Sequence, residues 1–115
     1  MSTVITREEL VSRMNGTSAL VLVEALPEKY YRDCHLPGAR HLPHDQVRAL
    51  AATILPQKTV EIVVYCASET CQNSHMTANQ LTLMGYTSVS VYGGGKKDWS
   101  EAGLPIEQSA PTMIG

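Results

Sequence analysis

Two patterns alternate along the chain: short apolar runs, and apolar residues at helical spacing. Leu20–Val23, Glu61–Cys66 and Ser88–Tyr92 are runs with few polar interruptions, the pattern of strands buried on both faces. Thr6-Arg7-Glu8-Glu9 reads as a capping box, with Thr6 as N-cap of a helix through Leu10, Val11 and Met14, stopped by Asn15-Gly16. Pro27 is placed to open a short helix at its first position, running through Glu28, Tyr30 and Tyr31. After the Pro37-Gly38 turn, His41-Leu42-Pro43 is at most a short strand. Asp45–Ile54 is a weaker helix, with Val47, Leu50, Ala51 and Ile54 on one side. Ser74–Met84 carries Ala78, Leu81 and Met84 on one stripe and ends at Gly85, so a helix is predicted. Gly93-Gly94-Gly95 is a turn, and a last short helix carries Trp99. No repeat interrupts this order.

Strands alternating with helices, and apolar throughout, predict an α/β fold with a parallel sheet covered on both faces. A length of 115 residues fits one domain, 1–115, with its core over about 6–107 and a polar, flexible tail at 108–115. Hydrophobic residues at 43% and charged residues at 17% exclude general disorder. With no Phe, one Trp and five Tyr, the core must be filled by Val, Leu, Ile, Ala and Met. A net charge of -2 gives no global basic footprint, so neither nucleic acid nor an anionic membrane is an expected partner. The longest apolar runs, Ala19–Val23 and Ile62–Cys66, fall far short of the roughly 20 residues that span a bilayer. The start shows no basic and apolar leader, and three cysteines cannot make a disulfide scaffold, so the expected location is cytoplasmic.

In parallel α/β folds ligands gather beyond the carboxyl ends of the strands. Cys66 ends the most apolar strand and is followed by Ala67, Ser68, Glu69, Thr70, Cys71, Gln72 and Asn73, with Ser74 placed to cap the next helix. A cysteine there faces backbone N–H groups and the positive end of a helix dipole, both of which favour thiolate. Lowering a thiol pKa from ~8.5 to ~7 makes it about half ionised at neutral pH. Cys66 is therefore a candidate nucleophile; the competing reading is a buried cysteine acting as a small hydrophobe.

From about Thr6 to Glu107 the chain resembles the rhodanese-like (sulfurtransferase) family. Leu22-Val23-Glu24-Ala25-Leu26 stands where that family has an Asp-Val-Arg segment, and Tyr31 falls at its aromatic position. His35-Leu36-Pro37-Gly38-Ala39-Arg40-His41-Leu42-Pro43 is similar to its His-Ile-Pro-Gly-Ala signature, and Val63-Val64-Tyr65-Cys66 to the strand bearing its catalytic cysteine. Leu81, Gly85-Tyr86, Gly93-Gly94 with Trp99, and Ala102 to Glu107 follow in order. The resemblance implies a five-stranded parallel sheet flanked by helices on both faces. It also implies that Cys66 accepts sulfane sulfur as a persulfide and passes it to a thiol or another nucleophile. The loop departs from the commonest rhodanese form: it is longer, lacks that form's Gly and Arg, and carries Glu69 with no basic residue. Leu26 replaces an Arg after the first strand. A variant loop, Cys-x4-Cys-x-x-Ser, fits Cys66, Cys71 and Ser74. Phosphatase relatives of this fold need an Arg closing the loop, and here the stretch reads Gln72-Asn73-Ser74.

Cys71 is a possible resolving thiol, able to attack a Cys66 persulfide or close a disulfide; alternatively it fills the underside of the loop. Cys34 reads as structural. His35, His41 and His44 flank Pro37 and Pro43 and cannot share one helical face, so no metal site is expected. His35 is expected to fix the Pro37-Gly38 turn, and His75 to face either solvent or the site. Lys96-Lys97 either steers anions to the loop or is a solvated helix start, and Gly93–Gly95 lacks the features of a nucleotide loop. The expected activity is that of a sulfurtransferase or persulfide carrier needing no cofactor. Its partners would be a small sulfur donor (persulfide, polysulfide or thiosulfate) and a thiol acceptor or acceptor protein. The rival reading is a non-catalytic rhodanese-homology module with a binding or regulatory role.

Overall fold

A computed structural model describes residues 3–16 and 19–108. Its centre is the strand that the sequence marks as most apolar. β4 (Glu61–Tyr65) lies between β2 (Leu20–Glu24) and β5 (Val89–Tyr92), with β1 (Thr3–Ile5) and β3 (Arg40–His41) at the two edges. The order is β1-β5-β4-β2-β3 and every pairing is parallel. Such a strand is covered on both faces, which is why Ile62, Val63 and Val64 have no exposed surface and no polar residue interrupts them.

Side chains alternate across the sheet. Ile62 and Val64 point to a core closed by α3 (Val47–Ile54) and α4 (Asn73–Leu83), with Val47, Ala51, Ala78 and Leu81. Val63 and Tyr65 point the other way, towards Leu10 of α1 (Arg7–Met14), Leu36, and Trp99 of α5 (Gly95–Glu101). Cys66 follows directly after the last residue of β4. α2 (Glu28–Asp33) follows β2 and leads into the Pro37-Gly38 turn.

Local signals account for most boundaries. Thr6 caps α1 by accepting the Glu9 N–H at 3.1 Å, while Glu9 itself pairs with Arg13 rather than closing the box. Gly85, at a φ of 101°, stops α4 in the left-handed region that favours glycine. Four expectations shift. Pro27 is the N-cap of α2 and not its first residue. α3 begins at Val47, because Asp45 supplies no cap and Gln46 makes no side-chain cap bond. Ser74 does not cap α4: the helix starts at Asn73 after Gln72, leaving Ser74 buried inside the first turn. β1 has no counterpart in the apolar pattern, since Thr3 and Val4 are exposed and it is placed by pairing Val4 with Val91. Of the expected tail, residues 109–115 lie outside the described residues. No helix among the described residues is long and apolar enough to cross a membrane.

Candidate active site

Cys66 leaves β4 at the carboxyl edge of the sheet and is 1% exposed. Its carbonyl accepts the N–H of Lys96 at 3.0 Å, and the carbonyl of Ala67 accepts the N–H of Lys97 at 2.9 Å. The first residues of α5 therefore hold the start of the loop. This contact requires a glycine next to it. Gly95 has a φ of 66°, and a Cβ there would sit 2.6 Å from the Cys66 carbonyl oxygen and 2.8 Å from the Ser68 nitrogen.

The loop then folds back on itself. The Cys71 N–H donates to the Ser68 carbonyl at 3.1 Å, and the hydroxyls of Ser68 and Thr70 are 3.1 Å apart. The turn brings Cys71 to Cys66, and the two are joined as a disulfide with a Cα–Cα distance of 6.2 Å. Cys71 is half-buried, the more exposed residue of the pair. α4 follows at once. Its first N–H groups have no intrahelical acceptors, and the Gln72 side chain does not cap them. Eleven residues of helix thus direct their positive end towards the loop.

Charge around the loop is mixed. Glu69 is exposed and lines two grooves beside it, one with Lys97, Asp98 and Glu101, the other with Arg7, Glu8 and His75. His75 thus shares a groove with Glu69 that neither Cys66 nor Cys71 lines. Arg7 is engaged, 2.9 Å from the Asp98 carboxylate and 3.4 Å from Glu8. Asp98 also accepts the Tyr92 hydroxyl at 2.5 Å; burial, then this bond, push the Tyr92 phenol above its usual range.

Behind the loop lies a buried polar network. Glu24 has no exposed surface, and its Oε1 accepts the Tyr65 hydroxyl at 2.8 Å, which in turn accepts the Leu36 N–H at 3.0 Å. The Lys96 ammonium lies 2.9 Å from Glu24 Oε2 and donates to the carbonyls of Tyr30, at 2.7 Å, and Cys34. Two of its three hydrogens go to those carbonyls, and the ammonium stays within ion-pair distance of Glu24. Burial raises the Glu24 carboxyl above the usual carboxylate range against the opposing pull of Lys96 and Tyr65. Neither role anticipated for Lys96, anion steering or a solvated helix start, describes a side chain 14% exposed and paired with a buried acid.

His35 and His41 are occupied structurally. The His35 ring stacks on Tyr31 at 4.0 Å, with Nδ1 donating to the Tyr31 carbonyl at 2.8 Å; His41 Nε2 donates to the Leu26 carbonyl at 2.6 Å. The turn expected to be fixed by His35 is held by Glu107, whose Oε1 accepts the Gly38 N–H at 2.9 Å. The backbones of His35 and Glu107 also bond reciprocally at 2.8 Å. Among the described residues, no three His, Cys, Asp or Glu side chains are arranged to hold a metal. Cys34 is a half-buried free thiol at the C-terminus of α2.

The structure therefore brings together Cys66, Cys71 and the loop from Ala67 to Ser74 at the head of α4. Sequence reasoning named Lys96 in other roles and missed the network it forms with Glu24 and Tyr65. One signal was available: Glu24 is a carboxylate closing an otherwise apolar strand.

Comparison with known proteins agrees with this geometry. The family profile of the rhodanese-like domain matches residues 6–102. The HTH-type transcriptional regulator Rv0324 of Mycobacterium tuberculosis is 29% identical over 111 residues, covering 96% of this chain and 47% of that protein. Thiosulfate sulfurtransferase PspE of Escherichia coli is 35% identical over 69 residues, covering 60% of this chain and 64% of that one. The chain thus spans less than two thirds of either relative. Among solved structures, the rhodanese-like domain of the Anabaena Alr3790 protein superposes with a TM-score of 0.80 at 28% identity, covering 100% of this chain and 89% of that one. The BH2092 protein of Bacillus halodurans shares the fold with a TM-score of 0.83 at 20% identity, covering 99% and 85%.

Proposed function

The chain belongs to the rhodanese-like domain family, and from that premise we propose that it is a sulfurtransferase or persulfide carrier with Cys66 as the nucleophile. The observation that carries the reading is the position of Cys66, at the end of β4, held through its carbonyl by Lys96 and followed by a loop into the uncapped start of α4. Backbone N–H groups at a helix start stabilise a thiolate and the anion of a persulfide alike. The reduced Cys66 thiolate attacks the sulfane sulfur of a donor and expels the donor's remaining fragment, leaving Cys66–S–S⁻. An acceptor thiolate then takes the outer sulfur and regenerates Cys66. No side chain outside the loop has to supply a cofactor.

Persulfides and polysulfides suit the site better than thiosulfate. Thiosulfate is a dianion, the loop has no cation, and Glu69 places a negative charge at its rim. The similarity to a thiosulfate sulfurtransferase supports the chemistry of sulfur transfer and leaves the donor to be measured.

A second reading is that the domain serves as a regulatory module without turnover. Two observations favour it: Cys66 is closed off by its bond to Cys71, and a similar protein is a transcriptional regulator about twice as long as this chain. Intact-mass measurement separates the readings. Reduced protein is incubated with thiosulfate, cysteine hydropersulfide or polysulfide, and then with a thiol acceptor. The sulfurtransferase reading expects a one-sulfur increment mapped to Cys66, removed by the acceptor over many cycles. Loading at Cys34 alone, or no loading by any donor, would overturn it.

A further inference from the structure

We propose that Cys66 and Cys71 give this domain a second outlet for its sulfur: reductive release of hydrosulfide from the loaded persulfide, with the Cys66–Cys71 disulfide as product and a dithiol as the reductant that resets it. This rests on the reading of Cys66 as a persulfide carrier. Three observations carry the extension. The two residues are already joined, so the Cys71 sulfur reaches the inner sulfur of any Cys66 persulfide, and not only an outer atom projecting away from it. Their Cα atoms are 6.2 Å apart, within the range disulfides occupy. The approach is also built into the loop, because the Cys71 N–H is tied to the Ser68 carbonyl at 3.1 Å and turns the chain back on itself.

The step balances without an external oxidant. Cys71 ionises, giving its proton to solvent, and its thiolate attacks Cys66 Sγ. A bond forms between the two cysteine sulfurs, and the bond from Cys66 Sγ to the outer sulfur breaks. The electron pair leaves on the outer sulfur of Cys66–S–S⁻, which takes up one proton from solvent, balancing the one Cys71 gave, and departs as hydrosulfide. The sulfane sulfur is reduced, and the two cysteines are oxidised to the disulfide. Attack on the outer sulfur would merely move the persulfide to Cys71.

Burial fixes how the pair is reset. Cys66 is 1% exposed and Cys71 half-buried, which leaves the approach of an incoming thiolate on the Cys71 side of the bond. Attack there expels Cys66 as thiolate, the sulfur that the helix start stabilises best, and a good leaving group departs faster. The reductant is then joined to Cys71. A dithiol, such as a protein carrying a Cys-x-x-Cys pair, finishes the reduction with its own second thiol in an intramolecular step; a monothiol must wait for another molecule.

The test uses the whole chain, reduced and freed of reductant, with Cys34→Ser as background to remove the third thiol. Equimolar cysteine hydropersulfide is added, and sulfide release, the one-sulfur adduct on Cys66 and the Cys66–Cys71 linked peptide are followed together. The expected result is about one equivalent of sulfide, formed in step with the linked peptide. In the Cys71→Ser and Cys71→Ala variants the adduct should persist at least about tenfold longer, because the intramolecular attacker is gone. Glutathione added to the disulfide form should be found on Cys71, and dithiothreitol should restore both thiols faster than a monothiol at equal thiol concentration. If the parent and both variants load and hold the adduct equally long, the resolution step is overturned and the carrier reading stands. If no form takes up sulfur, the carrier reading fails and takes this inference with it.

Discussion

The ammonium of Lys96 lies 2.9 Å from the carboxylate of Glu24, and the main-chain N–H of the same lysine holds the carbonyl of Cys66 at 3.0 Å. One residue thus couples a buried charge pair to the backbone of Cys66. Removing one partner of a buried pair leaves the other charge desolvated and alone. Lys96→Met keeps most of the apolar stem and deletes the charge, so it should lower stability by about 3–5 kcal/mol. Denaturant unfolding measures this directly. A loss below about 1 kcal/mol would mean that water reaches Glu24 readily and that the pair is dispensable.

Glu24 also predicts a pH dependence. Burial raises its carboxyl above the usual range, so the folded protein binds this proton more tightly than the unfolded chain does. For a raised pKa, the associated stability is full below the unfolded value and declines as pH rises through the folded one. Glu24→Gln removes that dependence. The stability of the parent relative to Glu24→Gln should therefore be greatest near about pH 4 and shrink towards pH 7. Urea midpoints across that interval test the sign. A parent that gains on the variant with rising pH would show that Lys96 and Tyr65 outweigh desolvation and hold the carboxylate ionised.

Gly95 is a direct test of the loop's support. Gly95→Ala must place a side chain at a φ of 66° and push it into the backbone of Cys66, Ala67 and Ser68. The left-handed conformation alone costs about 1–2 kcal/mol, and the clash adds to it because backbone atoms cannot swing aside. The melting temperature should fall by several degrees. The informative readout is the alkylation rate of reduced Cys66 against that of Cys34. Cys66 should slow while Cys34, which makes no such contact, stays unchanged. An equal change at both would mark a general loosening of the domain.

How far these features were legible in the sequence depends on their range. Thr6, Gly85 and the runs in β2, β4 and β5 are read locally, from a cap, a stop and a burial pattern, and the structure places them nearly where expected. β1 was not, because only Ile5 of its three residues is buried and its position comes from pairing with β5. The Cys66 loop was legible as a strand end before a helix. The Glu24–Lys96 pair was not: its members lie on different elements, and no local rule makes an exposed-looking Lys-Lys step at a helix start into the partner of a buried acid. Ser74 shows the converse error. A residue type suited to capping proved to lie two residues too deep, because Gln72 rather than Asn73 ends the loop.

Charge at the rim gives the last prediction. Glu69 borders both grooves beside the loop, and Arg7, which lines one of them, is already engaged by Asp98 and Glu8. A doubly charged donor approaching Cys66 thus meets an acid where a cation would help, whereas a persulfide of low charge is little affected. Glu69→Arg reverses that charge without touching the bonds that shape the loop, since those run between Cys71 and Ser68 and between Ser68 and Thr70. Unit charges about 4 Å apart in water interact by about 1 kcal/mol, and salt weakens this further, so the gain should be roughly threefold to tenfold in thiosulfate rate at low ionic strength. The rate with cysteine hydropersulfide should change much less, and the thiosulfate gain should fade as salt is added. A parent enzyme that already uses thiosulfate faster than the persulfide would show that the amides at the start of α4 bind the dianion unaided. An unchanged thiosulfate rate in Glu69→Arg would place its path of approach on another side of the loop.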